Sequence, residues 1–261
     1  MGLINSGMTI IDFDETYFAQ TKLQHYPHER LDFRHLEHVN LFCEEESLQT
    51  LQMRLQKRRQ KGITLIGSGN YHYLTYLLLK EISEPFTLVL FDNHPDLGTG
   101  QEVDQMLSCG SWVSYALSKI PLLQQVVIIG PTVALAQNST HCSRTVFFPF
   151  DGTHYYSLKL ILSSIPTKHV YISIDKDVLR KSEVQTNWDQ GIMGIDTLNH
   201  MLETLLMSKQ AEAVDICGEL PLSPIEAIQP DYQSIIQKNE KANLLLLQTC
   251  LKASENQTKG A

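Results

Sequence analysis

No Cys-x-x-Cys pair occurs in the chain, and its five cysteines, Cys43, Cys109, Cys142, Cys217 and Cys250, form an odd set without regular spacing. That argues against a zinc knuckle and against a disulfide framework, so a reducing cytoplasm is the expected setting. Positive charge is also scarce: 21 lysines and arginines face 29 aspartates and glutamates, for a net charge of −8. Such a surface disfavours nucleic acid as a partner and is compatible with a cationic substrate. No apolar run reaches the roughly 18 residues that span a bilayer, and the first residues lack the basic segment and apolar stretch of a standard signal. Neither membrane insertion nor secretion is therefore expected. Internal repeats, low-complexity blocks and proline-rich linkers are absent as well. With 261 residues, 43% of them hydrophobic, the chain is long enough for one sizeable domain. The expectation is a single domain over 1–253, followed by a polar tail over 254–261.

What the chain does have is an alternation of strand-like and helix-like segments, the pattern of βαβ units around a parallel sheet. An opening strand is expected near Met8 to Phe13, then a polar stretch to about Glu44 and a helix carrying Leu48, Leu51 and Leu55. The basic run Lys57-Arg58-Arg59 that follows complements the dipole at the end of that helix. Further strands are expected at Ile63 to Gly67, Phe86 to Phe91, Gln125 to Gly130, Thr145 to Phe148, His169 to Ile174 and Ala213 to Cys217. Helices are expected from Leu74 to Ile82, from about Ser111, over Ser157 to Ser164, over Asp196 to Met207, and from about Asp231 onward. The predicted fold class is α/β, a three-layer α/β/α arrangement with a mainly parallel sheet. Leu244 to Leu247 make the last helix apolar around much of its circumference, which leaves an oligomer possible.

Two acidic clusters carry the chemistry. Asp92-Asn93-His94-Pro95-Asp96 closes one apolar strand, and Asp175-Lys176-Asp177 closes another. In extended backbone, residues i, i+2 and i+4 share a face, so Asp92, His94 and Asp96 are expected to converge, and Asp175 with Asp177 likewise. Each carboxylate alone could be a cap or a solvated turn residue. Together, at the ends of buried strands, they would repel one another without a cation. Carboxyl ends of strands are also where open α/β sheets bind ligands. His72, just after Gly67-Ser68-Gly69, ends a third strand and is a sixth candidate ligand. Carboxylates with imidazole and no thiolate favour Mn²⁺ over structural zinc, and this many donors suits two ions.

The order Gly-x-x-His, then Asp-x-His-x-Asp, then Ser-x-Asp-x-Asp resembles the arginase and agmatinase (ureohydrolase) family, of the arginase/deacetylase fold, over nearly the whole chain. The resemblance implies that His72, Asp92, Asp96 and Asp175 hold one manganese and that Asp92, His94, Asp175 and Asp177 hold a second. It also implies hydrolysis of a guanidinium group to urea by a hydroxide bridging the ions. Asp215-Ile216-Cys217-Gly218-Glu219 is similar to the family segment whose glutamate binds the guanidinium, with the spacing one residue longer. Glu219 is on that basis the expected anchor, the alternative being an ordinary glutamate after a strand.

The departures from the family narrow the substrate. Asp96-Leu97-Gly98 lacks the asparagine, and Pro131-Thr132-Val133 lacks the acid, with which arginases grip the head group of a free amino acid. The chain is accordingly closest in resemblance to the peptide arginases of ribosomal peptide pathways, which implies an arginine-containing peptide as partner and conversion of its arginine residues to ornithine. The wording of Thr186-Asn187-Trp188-Asp189-Gln190-Gly191 points to that branch too. Trp188 and Asp189 either line the mouth of the pocket or pack on the domain. Where arginases carry a histidine thought to shuttle protons, this chain has Cys109. Cys109 is either a catalyst or a packing residue, and His154 is either a substitute proton donor or an exposed loop residue. Hydrolysis of a small guanidine, deacylation on the same scaffold, or metal binding without catalysis are the competing readings.

Overall fold

A computed structural model describes residues 7–98, 107–138 and 143–259; Cys142 lies outside them. In chain order the elements are β1 (Met8–Asp12), β2 (His28–Asp32), α1 (Glu45–Gln56), β3 (Ile63–Ser68), α2 (Leu74–Leu79), β4 (Phe86–Phe91), α3 (Trp112–Lys119) and β5 (Leu123–Gly130). Then come α4 (Val133–Asn138), β6 (Thr145–Pro149), α5 (Leu158–Ser163), β7 (His169–Asp175), α6 (Ile195–Ser208), β8 (Gln210–Glu219), α7 (Pro224–Ala227) and α8 (Pro230–Lys259). The strands form one sheet in the order β2-β1-β3-β8-β7-β4-β5-β6, and every pairing described is parallel. The expected three-layer parallel architecture is what the chain adopts.

The layers follow from strand composition. All six residues of β4 are buried, because alternate side chains feed two different cores. Val89 and Phe91 join Ile172 and Ile174 of β7 in a core covered by α5, α6 and α8. Phe86, Leu88 and Leu90 enter the opposite core with residues of α1, α2 and α3. On α6, Leu198, Met201, Leu202, Leu205 and Leu206 make the helical stripe that seals the first face. Each such leucine or isoleucine, fully buried, contributes about 1.5–3 kcal/mol. Chain direction aligns the carboxyl ends of β3, β4, β7 and β8 along one edge. Gly130, at φ +136°, closes β5 against that edge, where a Cβ would lie 2.3 Å from the Asp92 carbonyl oxygen.

Several elements differ from the sequence expectation. The stretch before Glu44 contains β2, an edge strand of sequence His-Glu-Arg-Leu-Asp that pairs only with β1 and has no fully buried residue. A short helix, α4, separates β5 from β6 after Pro131. β8 extends beyond both of its expected ends, and the backbone of α8 stays helical to Lys259, through most of the expected tail. Ser254, at the start of that tail, is buried. On α8, Leu246 and Leu247 are buried against the first core and Leu244 packs beside them. Among the described residues, no helix is long and apolar enough to cross a membrane.

Candidate metal centre

The six candidate ligands converge, but by turns rather than by extended alternation. β4 ends at Phe91, and the segment from Asp92 leaves the sheet. Its turn is built by the ligands themselves: His94 N–H donates to Asp92 Oδ1 at 2.6 Å, and Asn93 N–H to Asp177 Oδ1 at 3.0 Å. Asp96 then takes a positive φ of 50°, a conformation that aspartate tolerates better than most residues. On the neighbouring strand, Asp175 caps a single 3-10 turn over Lys176–Val178, its Oδ1 accepting Asp177 N–H at 2.9 Å. His72 follows a similar turn, Gly69–Tyr71, beyond β3.

Donor atoms fall into overlapping groups. His72 with Asp92 and Asp96, and Asp92 with His94 and Asp177, each place one atom per residue within 4.8 Å of one another. His72 Nδ1 is 3.2 Å from Asp92 Oδ2, 3.3 Å from Asp96 Oδ2 and 3.6 Å from Asp175 Oδ2. His94 Nδ1 is 2.8 Å from Asp177 Oδ2 and 3.7 Å from Asp92 Oδ1. All four carboxylates and His72 are buried, and Asp92 Oδ2 has no hydrogen-bond partner. An orphaned, buried carboxylate oxygen among three further acids fits a cation and little else. The residues present therefore fit a two-ion centre, with Asp92 reaching both groups. Cys217 joins a third group with His72 and Asp175. Its thiol donates to Asp175 Oδ2 at 3.2 Å, and burial followed by the charge of Asp175 holds its pKa well above the ordinary value. It acts as a donor to a ligand rather than as a thiolate.

A chain of buried hydroxyls fixes the tautomer of His72. Ser173 Oγ donates to Asp215 Oδ1 at 2.6 Å, so it accepts from His72 Nε2 at 2.9 Å and leaves Nδ1 a lone pair facing the carboxylates. Asp215 is held in turn by Tyr171 Oη at 2.7 Å and Thr75 Oγ1 at 2.9 Å. Sequence reading missed Ser173 and Asp215 as ligand supports. The available signal was polar residues at alternate positions inside otherwise buried strands.

Without a cation the centre retains protons. Burial, then the charge of Asp177, pushes Asp175 up to about 6, and burial with Asp92 pushes Asp177 up to about 7. Burial alone would lower His94, but its bonds to Asp177 and Asp92 outweigh that and raise it to about 12. Each folded pKa lies above its unfolded value, so these groups stabilise the metal-free protein at low pH and lose that contribution as pH rises from about 4 toward 7, and further for His94. A bound cation replaces the protons. The gain in Tm on adding Mn²⁺ is therefore expected to be larger at pH 7.5 than at pH 5, read by calorimetry; a gain that shrinks with pH would contradict it.

Glu219 is not placed as an anchor. It is fully buried. Lys176 Nζ and Asn243 Nδ2, the latter at 2.6 Å, donate to Oε1, while Gln20 Nε2 and Asn239 Nδ2, both at 3.0 Å, donate to Oε2. Four donors saturate the carboxylate. One residue earlier, at the position the family spacing picks out, Gly218 has φ +84°, and a Cβ there would lie 2.3 Å from Asp175 Oδ1. No side chain fits.

The six candidate ligands line a cavity of about 230 Å³ together with Cys109, Trp188, leucines, glycines and Pro95. Cys109 and Trp188 thus lie at the site. Asp189 does not: it is exposed, and its carbonyl accepts Asn93 Nδ2 at 3.0 Å. His154 is also outside, in an exposed turn where Asp151 and Thr153 engage its Nδ1.

Comparison with known proteins agrees with this geometry. The family model described as "Arginase family" matches residues 10–209, which include all six candidate ligands. An uncharacterized protein of Thermotoga maritima is 34% identical over 186 residues, 71% of this chain, which spans 66% of the length of that relative. Among solved structures, an agmatine ureohydrolase of Thermoplasma volcanium superposes with a TM-score of 0.65 at 14% identity, over 97% of this chain and 91% of that one. A hypothetical agmatinase from Burkholderia thailandensis gives 0.64 at 17% identity, over 96% and 87%. These structures share the fold, and the family match, with the ligand clusters at the carboxyl edge of the sheet, establishes that the chain belongs to the arginase family.

Proposed function

We propose that this protein is a dimanganese hydrolase that cleaves the guanidinium group of arginine residues within a peptide, releasing urea and leaving ornithine. The observation that carries the substrate class is the cavity lining. Among the described residues, every charged side chain facing the cavity is a candidate metal ligand, so none of these is left to pair with the ammonium or carboxylate of free arginine, or with the second cation of agmatine. An arginine held in amide bonds presents neither charge. Carboxylate and imidazole donors suit manganese, and when bound the ions would supply Lewis acidity and a water ionised near neutral pH.

The chain's own residues do the rest. Asp92 and Asp175, each within reach of His72, would hold the two halves of the centre in register. The apolar wall of Pro95, Leu97 and Leu135 limits competing water around the substrate's methylene chain. Cys109 is the one described non-ligand side chain of the lining with an ionisable proton, but burial and the charge of Asp96 push its thiol up to about 12, above an alkylammonium, so it is read as part of the wall rather than as the donor to the departing ornithine amine.

The test is urea release by the Mn²⁺-loaded protein from free arginine, agmatine and a mixed pool of arginine-containing peptides, with mass spectrometry of the peptides. Urea from peptides, with a loss of about 42 Da per reacted arginine (CN₂H₂), is expected. Turnover of a small guanidine alone would overturn the peptide assignment.

A further inference from the structure

A hydrolase for guanidinium must orient a planar cation with its carbon toward the ions, and Glu219 is fully engaged by Lys176 and three amides. Among the described residues of the cavity, no other carboxylate is free of the metal centre. Among the described residues, one further side chain of the lining can recognise a cation. Trp188 is half-buried, and its ring lies 5.9 Å from that of His94, inclined at 67°, beside the second ligand group.

The indole is held as a fixed wall. Its Nε1–H donates to Asn70 Oδ1 at 3.0 Å, and Asn187 Nδ2 donates to the same oxygen at 2.8 Å. Asn70 Nδ2 in turn reaches Asn40 Oδ1 at 2.9 Å, and Ser68 Oγ reaches Asn187 Oδ1 at 3.2 Å. Gly69 makes room for the ring, since a Cβ there would stand 3.0 Å from Trp188 Cδ1. With its N–H already bonded to Asn70, the ring has only π surface to offer a ligand. The other tryptophan, Trp112, is fully buried and donates to Asp96, so it cannot serve.

We propose that the indole of Trp188 binds and orients the substrate guanidinium by cation–π contact, taking the place of a carboxylate anchor. This rests on reading the site as a guanidinium hydrolase. An aromatic wall attracts the cation through its quadrupole and matches the flat guanidinium in shape. It also discriminates by charge, because urea, the neutral product of the same shape, gains no such attraction and leaves readily.

Dissociation constants of n-butylguanidinium and of neutral n-butylurea, measured by calorimetry on the Mn²⁺-loaded full chain, test the assignment. Trp188→Leu is expected to weaken guanidinium binding about ten-fold and urea binding less than about two-fold, with Trp188→Phe recovering most of the loss. Site-specific placement of mono-, di- and trifluorotryptophan at position 188 keeps the ring's shape, so it reads the same effect without depending on how the leucine variant folds. Guanidinium affinity falling stepwise with fluorination, with urea unchanged, supports the proposal. Affinity indifferent to fluorination, or a parallel loss for both ligands, overturns it and leaves the hydrolase reading standing. Wild-type protein that takes up manganese but neither binds guanidinium nor releases urea overturns that reading and this assignment with it.

Discussion

Replacing Lys176 by methionine should lower the unfolding free energy by about 3–5 kcal/mol, because it strands a buried carboxylate without its counter-ion. Lys176 and Glu219 are both fully buried, and Glu219 is tied by Asn239 and Asn243 to α8 and by Gln20 to the loop after β1. The pair therefore couples the turn between Asp175 and Asp177 to the last helix of the fold. Glu219→Gln, which strands the ammonium instead, should cost a similar amount. In the double variant Lys176→Met/Glu219→Gln neither charge of the pair is left stranded, so its loss should be below the sum of the two singles, with a coupling of about 1–3 kcal/mol. Chemical denaturation of the four proteins completes the cycle. Additive losses would mean that the two residues do not act as a pair. Glu219→Gln with unaltered stability would restore Glu219 as a free group available to a substrate.

The second large effect concerns Asp92, which reaches both ligand groups and whose Oδ2 is buried without a donor. On the proposed function, Asp92→Asn removes the candidate ligand common to both groups, so urea release should fall by more than about 1,000-fold, the several kcal/mol of charge stabilisation expected from the centre. The same change should stabilise the metal-free protein, because burial and the charge of Asp96 already raise the pKa of Asp92 and a neutral amide relieves both. Each kcal/mol of relief would appear as roughly 2–4 °C in Tm. Opposite signs in metal-free stability and in activity identify a residue kept for function against its structural cost. Loss of stability in both states would instead mark Asp92 as a structural residue.

The sequence pointed to the candidate ligands because chemistry and pattern coincide there. Phe86–Phe91 is an apolar run of strand length and the residues from His169 to Ile174 are largely apolar, and the acids follow at their ends. The reason for convergence was not legible. Extended alternation looked sufficient, whereas the backbone turns at Asn93 and His94 and the positive φ of Asp96 bring the donors together. β2 escaped notice because an edge strand with a single neighbour needs no apolar run, and His28–Asp32 has none. The saturation of Glu219 was not legible because its partners are distant in the chain: Gln20 precedes it, Lys176 lies in the turn after β7, and Asn239 and Asn243 belong to a helix still to come. A local signal did exist. A lysine between two aspartates at the buried end of a strand requires a buried counter-ion, and Lys176 finds one.

The central claim, a two-ion centre built from six residues on one sheet edge, is tested most directly by anomalous diffraction at the manganese absorption edge from crystals grown with Mn²⁺. Two peaks are predicted, one bounded by His72 and Asp96 and the other by His94 and Asp177, with Asp92 and Asp175 between them. A single peak, or none within reach of these residues, would contradict the account.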